Sequence, residues 1–353
     1  MPKRSFYVKD SELDDYQIKV INRRTDNSFI VKGCAGSGKS ILALWKAKQI
    51  QEKGMGSYLY VVYTKALRQY MEDGINTIGL NDNNVRNFDK CFFWTNTDEG
   101  LQRGAWKVGS YDYIIVDEAQ DFSREDIEIF RSHANKALLL YGDSAQQLYK
   151  FSPDKQPLSM EEIQGLTHYP MEQLVFNHRL PKKIARLAEY INSENDALEE
   201  RCKNEGSEKP KIIEFNSRND ELDAIASIIQ NKNLEDVGIL FRHNEDVEYA
   251  YRYLSDKGLT VEAKYGRQMD LDFTSDNPKL MTYHSSKGLQ FENVFVPDCN
   301  VEKEEDRNPL YVAITRTYGG LYIMHTGDLS SFFVAVPSDL YETSLQSSST
   351  ITL

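Results

Sequence analysis

Cysteine, histidine and long apolar runs are scarce in this sequence of 353 residues. The cysteines Cys34, Cys91, Cys202 and Cys299 lie far apart, and no C-x-x-C pair occurs. The histidines are equally scattered, so the sequence predicts no zinc site. It contains no apolar run of about 18 residues, which argues against a membrane-spanning helix. The amino-terminal stretch MPKRSFYVKD lacks the apolar segment of a secretory signal. We therefore expect a reduced, cytoplasmic protein.

Positive charge is also in deficit. The sequence has 42 lysines and arginines against 54 aspartates and glutamates, which gives a net charge of −12. This balance argues against nonspecific affinity for nucleic acid or for an anionic membrane. It is compatible with a locally basic or aromatic groove. With 40% hydrophobic and 27% charged residues, the composition is that of a soluble globular protein, and the length suits two domains.

A glycine-rich segment between two apolar stretches carries the first chemical signal. NSFIV is typical of a buried strand, and SILALWKAKQI is typical of a helix with an apolar face. Between them, GCAGSGKS has the Gly-x-x-x-x-Gly-Lys-Ser spacing of a phosphate-binding loop. Glycines let the backbone N–H groups turn toward phosphate oxygens, and the helix amino terminus adds its dipole. We predict that Lys39 contacts the β- and γ-phosphates and that Ser40 ligates Mg²⁺. The other predicted loop residues are Gly33, Ala35, Gly36, Ser37 and Gly38.

Two further apolar stretches end in polar residues. YDYIIVDEAQD predicts a strand followed at once by Asp117 and Glu118. Ligands gather at the carboxyl ends of parallel strands, so Asp117 suits the Mg²⁺ shell and Glu118 suits the attacking water. KALLLYGDSAQQLYKF predicts another strand, followed by Gln146, a candidate contact of the γ-phosphate or its water. Tyr149 and Phe151 offer rings for base stacking, although such aromatics more often pack in a core.

In their order along the chain, these segments resemble the motifs of superfamily 1 helicases of the UvrD/Rep type, from about residue 11 to residue 326. LDDYQ resembles the adenine-reading Q motif, VDEAQD the second motif and GDSAQQLYKF the third. The resemblance implies that Gln17 contacts adenine and that Gln146 is the coupling glutamine of the third motif. VYTKAL and VRNFDK resemble segments that contact single-stranded DNA. The nucleic-acid candidates in this half are Tyr63, Lys65, Arg68, Asn87, Phe88, Tyr149 and Phe151.

The resemblance continues through the second half of the chain. VFNHRLP resembles the fourth motif, MTYHSSKGLQFENVFV the fifth and LYVAITRTYGGLYI the sixth. It implies that Arg179 and Arg316 are arginine fingers and that His178 takes the place of a tyrosine that stacks on adenine. In the fifth motif, Gln290 stands where a glutamate is usual. Contacts with DNA, phosphate or ribose are implied for His284, Lys287, Gly288 and Gln290.

Strands and helices alternate through both halves of the sequence. Strands are predicted in NSFIV, SYLYVVY, DYIIVD, ALLLYG, PKIIEF, VGILFR, KLMTYH, NVFVPD and GLYIMH. This alternation predicts the α/β class, with mostly parallel sheets covered by helices. The resemblance implies two RecA-like domains with an ATP cleft between them. We place the first domain at 1–152, the second at 153–340 and a flexible tail at 341–353, with the boundary near KFSPDKQPLS. The intervals between motifs leave no room for accessory domains of domain size.

The resemblance implies an ATP-hydrolysing enzyme, a translocase or helicase that acts on single-stranded DNA with 3′–5′ polarity and uses Mg²⁺. Hydrolysis would depend on lobe closure, because Arg179 and Arg316 are distant from the phosphate-binding loop in sequence. The alternative is a DNA-stimulated ATPase that regulates a partner, such as a nuclease, without processive unwinding. RNA in place of DNA stays open, because the 2′-hydroxyl is read by local geometry. A GTPase is disfavoured, because no N-K-x-D motif follows a strand.

Overall fold

The computed structural model describes residues 12–97, 100–144, 156–192, 197–206, 208–266, 269–300 and 303–343. The chain divides into two compact units, of which the first ends at Phe176 and the second begins at Asn177. The predicted site residues Gln146, Tyr149 and Phe151 lie outside the described residues. Among the residues that are described, no helix is both long enough and apolar enough to cross a membrane.

The first unit is built around one parallel sheet. Its described strands are β1 (Phe29–Gly33), β2 (Tyr58–Val62), β3 (Val85–Asn87), β4 (Phe92–Thr97), β5 (Gly100–Trp106), β6 (Tyr111–Val116), β7 (Ala134–Gly142) and β8 (Met171–Leu174). The sheet order is β3-β2-β6-β7-β1-β8, and all neighbouring strands are parallel. β4 and β5 form a separate antiparallel hairpin. The helices are α1 (Asp15–Asn22), α2 (Lys39–Glu52), α3 (Lys65–Tyr70), α4 (Glu72–Thr77), α5 (Arg124–His133) and α6 (Met160–Thr167).

Helices cover both faces of this sheet. On one face, Ile30 and Ile114 join a buried apolar core with Phe130 of α5 and Ile163 of α6. Successive side chains of a strand point to opposite faces, so Val31 belongs to the other face. There α2 contacts β1, β2 and β7. Burial on both faces explains why these strands are almost wholly apolar.

The second unit repeats the parallel plan. Its described strands are β9 (Asn177–Pro181), β10 (Cys202–Asn204), β11 (Lys211–Phe215), β12 (Val237–Phe241), β13 (Glu262–Lys264), β14 (Lys279–Thr282), β15 (Phe291–Val296) and β16 (Thr317–Thr326). The main sheet has the order β11-β16-β15-β12-β14-β13 with parallel neighbours, and β9 pairs with β10 beside it. The helices are α7 (Lys182–Ile191), α8 (Leu198–Arg201), α9 (Arg218–Lys232), α10 (Asn244–Asp256) and α11 (Arg307–Ile314).

The predicted α/β class is confirmed, and each predicted strand segment contains a strand, namely β1, β2, β6, β7, β11, β12, β14, β15 and β16. The predicted boundary between 152 and 153 is wrong. β8 pairs with β1 in parallel, with Met171 opposite Ile30, so the first unit extends to Phe176. Half of β8 is polar, which hides it from an apolar pattern.

The predicted tail begins too early. Within 341–353, the backbone of Glu342 makes two hydrogen bonds with residues around β11. Its N–H donates to Pro210 O at 2.9 Å, and its carbonyl oxygen accepts from the N–H of Ile212 at 2.8 Å. Residues 341–343 therefore belong to the fold. Residues 344–353 lie outside the described part of the chain.

Candidate functional site

The glycine-rich segment forms a tight turn between β1 and α2. Gly36 and Gly38 have φ angles of 74° and 85°, which residues with side chains rarely adopt. A Cβ atom on Gly33 would lie 2.8 Å from Cβ of Leu174 and 2.5 Å from Oγ of Ser37. The curled backbone and the amino terminus of α2 are the geometry that phosphate binding requires. The turn contains all the predicted loop residues, Gly33, Ala35, Gly36, Ser37 and Gly38.

Lys39 begins α2, and its side chain folds back over the turn. Its Nζ donates to the carbonyl oxygens of Gly33 at 2.8 Å and Cys34 at 3.0 Å. The residue is only 6% exposed. These acceptors hold the ammonium group at the loop, where phosphate oxygens would be its stronger partners.

Gln17 braces the same loop from α1. Its Nε2 donates to Ser37 O at 3.0 Å, and its Oε1 accepts from the N–H of Asp14 at 3.1 Å. Asp14 Oδ1 in turn accepts the Gln17 N–H at 2.8 Å, which completes a capping box at the start of α1. The side-chain amide of Gln17 is thus engaged with the loop and with the helix cap. Its adenine contact stays a prediction.

Asp117 lies at the carboxyl end of β6 and is fully buried. The Tyr60 hydroxyl donates to Asp117 Oδ2 at 3.2 Å. Burial raises the pKa of Asp117 to about 6, and the neighbouring Glu118 carboxylate adds to the rise. The Ser40 hydroxyl is near enough to the carboxylate to act against the rise in its pKa. Ser40 and Asp117 therefore place two oxygen ligands side by side, as Mg²⁺ requires. These are the two residues predicted to hold the metal.

Glu118 has a left-handed backbone conformation, with φ of 54°, which is costly for a residue with a side chain. Gln120, which is completely buried, donates from Nε2 to Glu118 Oε2 at 2.5 Å. Its Oε1 accepts the N–H of Asp143 at 2.9 Å, just after β7. Gln120 thus fixes Glu118 to the neighbouring strand. The predictions do not include Gln120, although it belongs to the quoted VDEAQD segment.

In the second unit, the two predicted arginine fingers meet at one residue. Arg179 Nη2 donates to the carbonyl oxygen of Thr315 at 3.1 Å, and Arg316 Nη2 donates to its Oγ1 at 3.2 Å. Arg316 is 2% exposed and also donates from Nε to Val312 O at 2.9 Å. Asn204 Nδ2 donates to Arg179 O at 2.7 Å, so the β9–β10 pair holds Arg179 in place. No motif in the sequence predicts this role for Asn204.

The fifth-motif residues lie in and just after the turn that follows β14, at the carboxyl end of that strand. Lys287 is 2% exposed, Gly288 has a φ of 78°, and Gln290 is half-buried before β15. Burial lowers the pKa of the His284 imidazole, and Asp306 opposes that effect. The uncharged ring is therefore favoured at neutral pH. The adenine-stacking candidate of the fourth motif, His178, is exposed on β9.

The predicted nucleic-acid residues of the first unit gather at the carboxyl ends of β2 and β3. Tyr63 is half-buried, and its ring stacks on Phe88 with centroids 6.3 Å apart and planes 11° apart. Phe88 itself is 7% exposed and belongs to the core, so its faces are covered by protein. Asn87 is 5% exposed, and Lys65 is half-buried at the start of α3. Arg68 donates to Val85 O at 3.0 Å, which gives it a structural contact.

Two family models match the chain in separate ranges. The AAA domain matches residues 17–152, and the UvrD-like helicase C-terminal domain matches residues 279–324. Both matches make the chain similar to UvrD/Rep-like superfamily 1 helicases over these ranges. The first match includes the phosphate-binding turn with Asp117 and Glu118, and the second includes the fifth-motif turn and Arg316. Both matches agree with the resemblance stated from the motifs.

One relative of this chain is a protein named as a putative ATP-dependent DNA helicase in Acanthamoeba polyphaga mimivirus. The two are 24% identical over 394 aligned positions, which cover 91% of this chain and 54% of the viral protein. This chain therefore spans about half the length of that relative.

Solved structures of helicases resemble this chain more loosely. The C-terminal domain of a possible DNA helicase from Lactobacillus plantarum is 18% identical, with a TM-score of 0.39, over 47% of this chain and 98% of that one. Arterivirus nonstructural protein 10, a helicase solved in complex with DNA, is 17% identical, with a TM-score of 0.45, over 88% of this chain and 61% of that one.

Proposed function

We propose that this protein is an ATP-driven translocase on single-stranded DNA, with 3′–5′ polarity implied by its family. The observation that carries the proposal is the buried Asp117 at the carboxyl end of the first sheet, with Ser40 near its carboxylate and with Lys39 and Glu118 in the same part of the unit. Together these four residues supply a phosphate-binding cation, two oxygen ligands for Mg²⁺ and a carboxylate. Hydrolysis of a nucleoside triphosphate requires all of these groups.

In the proposed mechanism, the loop N–H groups and Lys39 bind the β- and γ-phosphates of ATP. Ser40 and Asp117 would hold Mg²⁺, which would neutralise charge that develops on the phosphate oxygens. Glu118 accepts the proton of the attacking water, and Gln120 keeps the Glu118 carboxylate in a fixed orientation. Because that orientation is set before ATP binds, none of the binding energy is spent on ordering it.

The second unit would contribute positive charge at the γ-phosphate. Arg179 and Arg316 share Thr315 as a hydrogen-bond acceptor, so a movement that displaces one also affects the other. We propose that hydrolysis requires the second unit to bring both guanidinium groups to ATP. Arginine fingers are worth about 10³ to 10⁵ in rate in related NTPases. Alternate opening and closing would then drive stepping along the strand.

DNA is the proposed substrate because the viral relative is named as a DNA helicase and the arterivirus helicase was solved with DNA. The net charge of −12 is compatible with this, because single-strand motors bind through stacking and a local groove. The proposed groove residues are Tyr63 and Lys65 after β2, Asn87 at the end of β3, and His284 after β14. Contacts of Phe88 would require its ring to leave the core.

The test is steady-state ATP hydrolysis with and without single-stranded DNA of graded length, with matched RNA strands as a second series. Glu118→Gln is the control that retains the fold and removes the proton acceptor. We expect hydrolysis to rise with DNA length and then to saturate. Stimulation by short strands without length dependence would favour a regulatory ATPase. Stimulation by RNA alone, or by neither, would refute the proposal.

A further inference from the structure

The β4–β5 hairpin presents large apolar side chains to solvent. Phe93 is 59% exposed, Trp94 is 39% exposed and Leu101 is 50% exposed. The hairpin lies outside the six-stranded sheet, and every described residue of β4 after Phe92 is exposed. Phe93 and Trp94 are successive residues of β4, so their side chains lie on opposite faces of the hairpin. Large apolar side chains exposed in one small element are costly in water and commonly mark a binding surface. The sheet and its core do not require this surface.

The base of the hairpin is firmly held. Phe92 is 1% exposed, and its ring packs edge-to-face on Trp106 with centroids 5.3 Å apart. The guanidinium of Arg103 lies 4.6 Å from the centroid of the Phe92 ring and pairs with Asp126 of α5 at 2.6 Å. Trp94 Nε1 donates to a backbone carbonyl at 2.8 Å, which fixes the orientation of the exposed indole. These contacts hold in place the part of the hairpin that carries the exposed rings.

Charge distinguishes this part of the sequence from the rest. Residues 86–107 contain four basic and three acidic side chains, a net charge of +1, in a chain with a net charge of −12. The Nζ of Lys107 lies 5.8 Å from the centroid of the Phe93 ring. A cation beside an exposed aromatic face suits a nucleotide, whose base can stack and whose phosphate can pair with the lysine.

The base of the hairpin is also linked through the core to one of the proposed groove residues. Phe92 packs on Phe88 with centroids 4.9 Å apart, and Phe88 stacks on Tyr63. Tyr63 follows β2 and is one of the proposed DNA contacts. A series of rings, of which Phe88 and Phe92 are buried, therefore connects Tyr63 with the base of the hairpin in the same unit.

We propose that the β4–β5 hairpin is a nucleic-acid-binding site, in which Phe93 and Trp94 stack on unpaired nucleobases and Lys107 pairs with a phosphate. This inference rests on the proposed function, because it extends the single-strand site of the same unit. The ligand class is single-stranded nucleic acid. Stacking is sequence-tolerant, so the site would have little base preference.

The experiment measures binding of a fluorescently labelled oligothymidylate by anisotropy, with the full chain and without ATP. Phe93→Ala and Trp94→Ala should each raise Kd by about 5- to 100-fold, the effect expected for loss of one stacked base. Trp94→Phe keeps a ring and should bind within about threefold of the parent protein. The matched control is Tyr190→Ala on α7, where the aromatic side chain is similarly exposed at 40%.

Intrinsic fluorescence gives a second readout that does not depend on an alanine variant folding well. The oligonucleotide should quench the tryptophan fluorescence of the parent protein. The Trp94→Phe variant should lose most of that quenching while it retains its affinity for the oligonucleotide. If the parent binds DNA and all hairpin variants bind equally well, the hairpin inference is refuted and the proposed function stands. If the parent binds neither oligothymidylate nor oligouridylate, both fail.

Discussion

Replacing Gln120 with methionine removes two buried hydrogen bonds with little change in side-chain volume. The variant loses the donor to Glu118 Oε2 at 2.5 Å and the acceptor of the Asp143 N–H at 2.9 Å. Gln120 is completely buried, so water cannot readily replace either partner. Each group that loses its partner costs about 1–3 kcal/mol, so the first unit should lose about 2–6 kcal/mol of its free energy of unfolding. That is a large part of the roughly 5–15 kcal/mol of an ordinary domain.

Urea unfolding followed by tryptophan fluorescence measures this loss directly. Trp45, Trp94 and Trp106 are the only tryptophans of the sequence, and all belong to the first unit, so the signal reports that unit. Gln164→Met is the matched control, because Gln164 is exposed on α6. ATP hydrolysis by Gln120→Met should also fall by up to about 100-fold, because Glu118 loses its fixed orientation. An unchanged unfolding midpoint together with unchanged hydrolysis would refute the role assigned to Gln120.

Three further predictions follow from single contacts. Arg316→Ala should bind ATP normally and hydrolyse it about 10³-fold or more slowly, as equilibrium binding and steady-state rates would measure; equal loss of binding would indicate a structural role alone. Gly33→Ala should destabilise the first unit by about 1–3 kcal/mol in urea unfolding, because its Cβ would lie 2.8 Å from Leu174 Cβ. Burial lowers the pKa of Lys46 to about 8 from 10.5, so the unfolded state binds more protons between these values. The free energy of unfolding should gain a contribution that rises with pH across that window, and Lys46→Met should abolish it; equal pH profiles for the parent and the variant would contradict the assignment.

The sequence predicts best where chemistry is local. The glycine spacing before Lys39 and the apolar strand before Asp117 each specify a short segment, and the structure has them as a turn and a strand end. Their convergence follows from the parallel sheet, because strands β1 and β6 carry their polar residues at the same edge. For the second unit, the site residues were predicted from the resemblance of its motifs, in their order along the chain, to those of known helicases.

Burial and pairing partners could not be predicted from the same patterns. β8 contributes a strand to the first sheet with a half-polar sequence, because its partner β1 supplies the hydrogen bonds. Phe88 belongs to a motif that suggests nucleic-acid contact, yet Phe92, Phe122 and Phe130 enclose its ring. The contact of both arginines with Thr315 depends on how α11 ends beside β9, which no local pattern encodes.

The β4–β5 hairpin had a readable signal. FFWTNT and GLQRGAW flank Asp-Glu, and each mixes aromatic or β-branched residues with polar ones, as short strands exposed to solvent do. The segment carries too few apolar residues to join a sheet covered on both faces. It therefore forms a separate hairpin. The motifs do not predict it, because the hairpin lies between two of them.

ATP-driven movement along a single strand is the central claim, and arrival of the protein at a labelled strand end tests it most directly. The protein is first bound to oligothymidylates of increasing length that carry a fluorescent label at the 5′ end. ATP is then added, and the time course of the fluorescence change is recorded. The account predicts a delay that grows in proportion to length with the 5′ label, no such delay with a 3′ label, and no signal from Glu118→Gln. A signal independent of length with both labels, while ATP is hydrolysed, would contradict it.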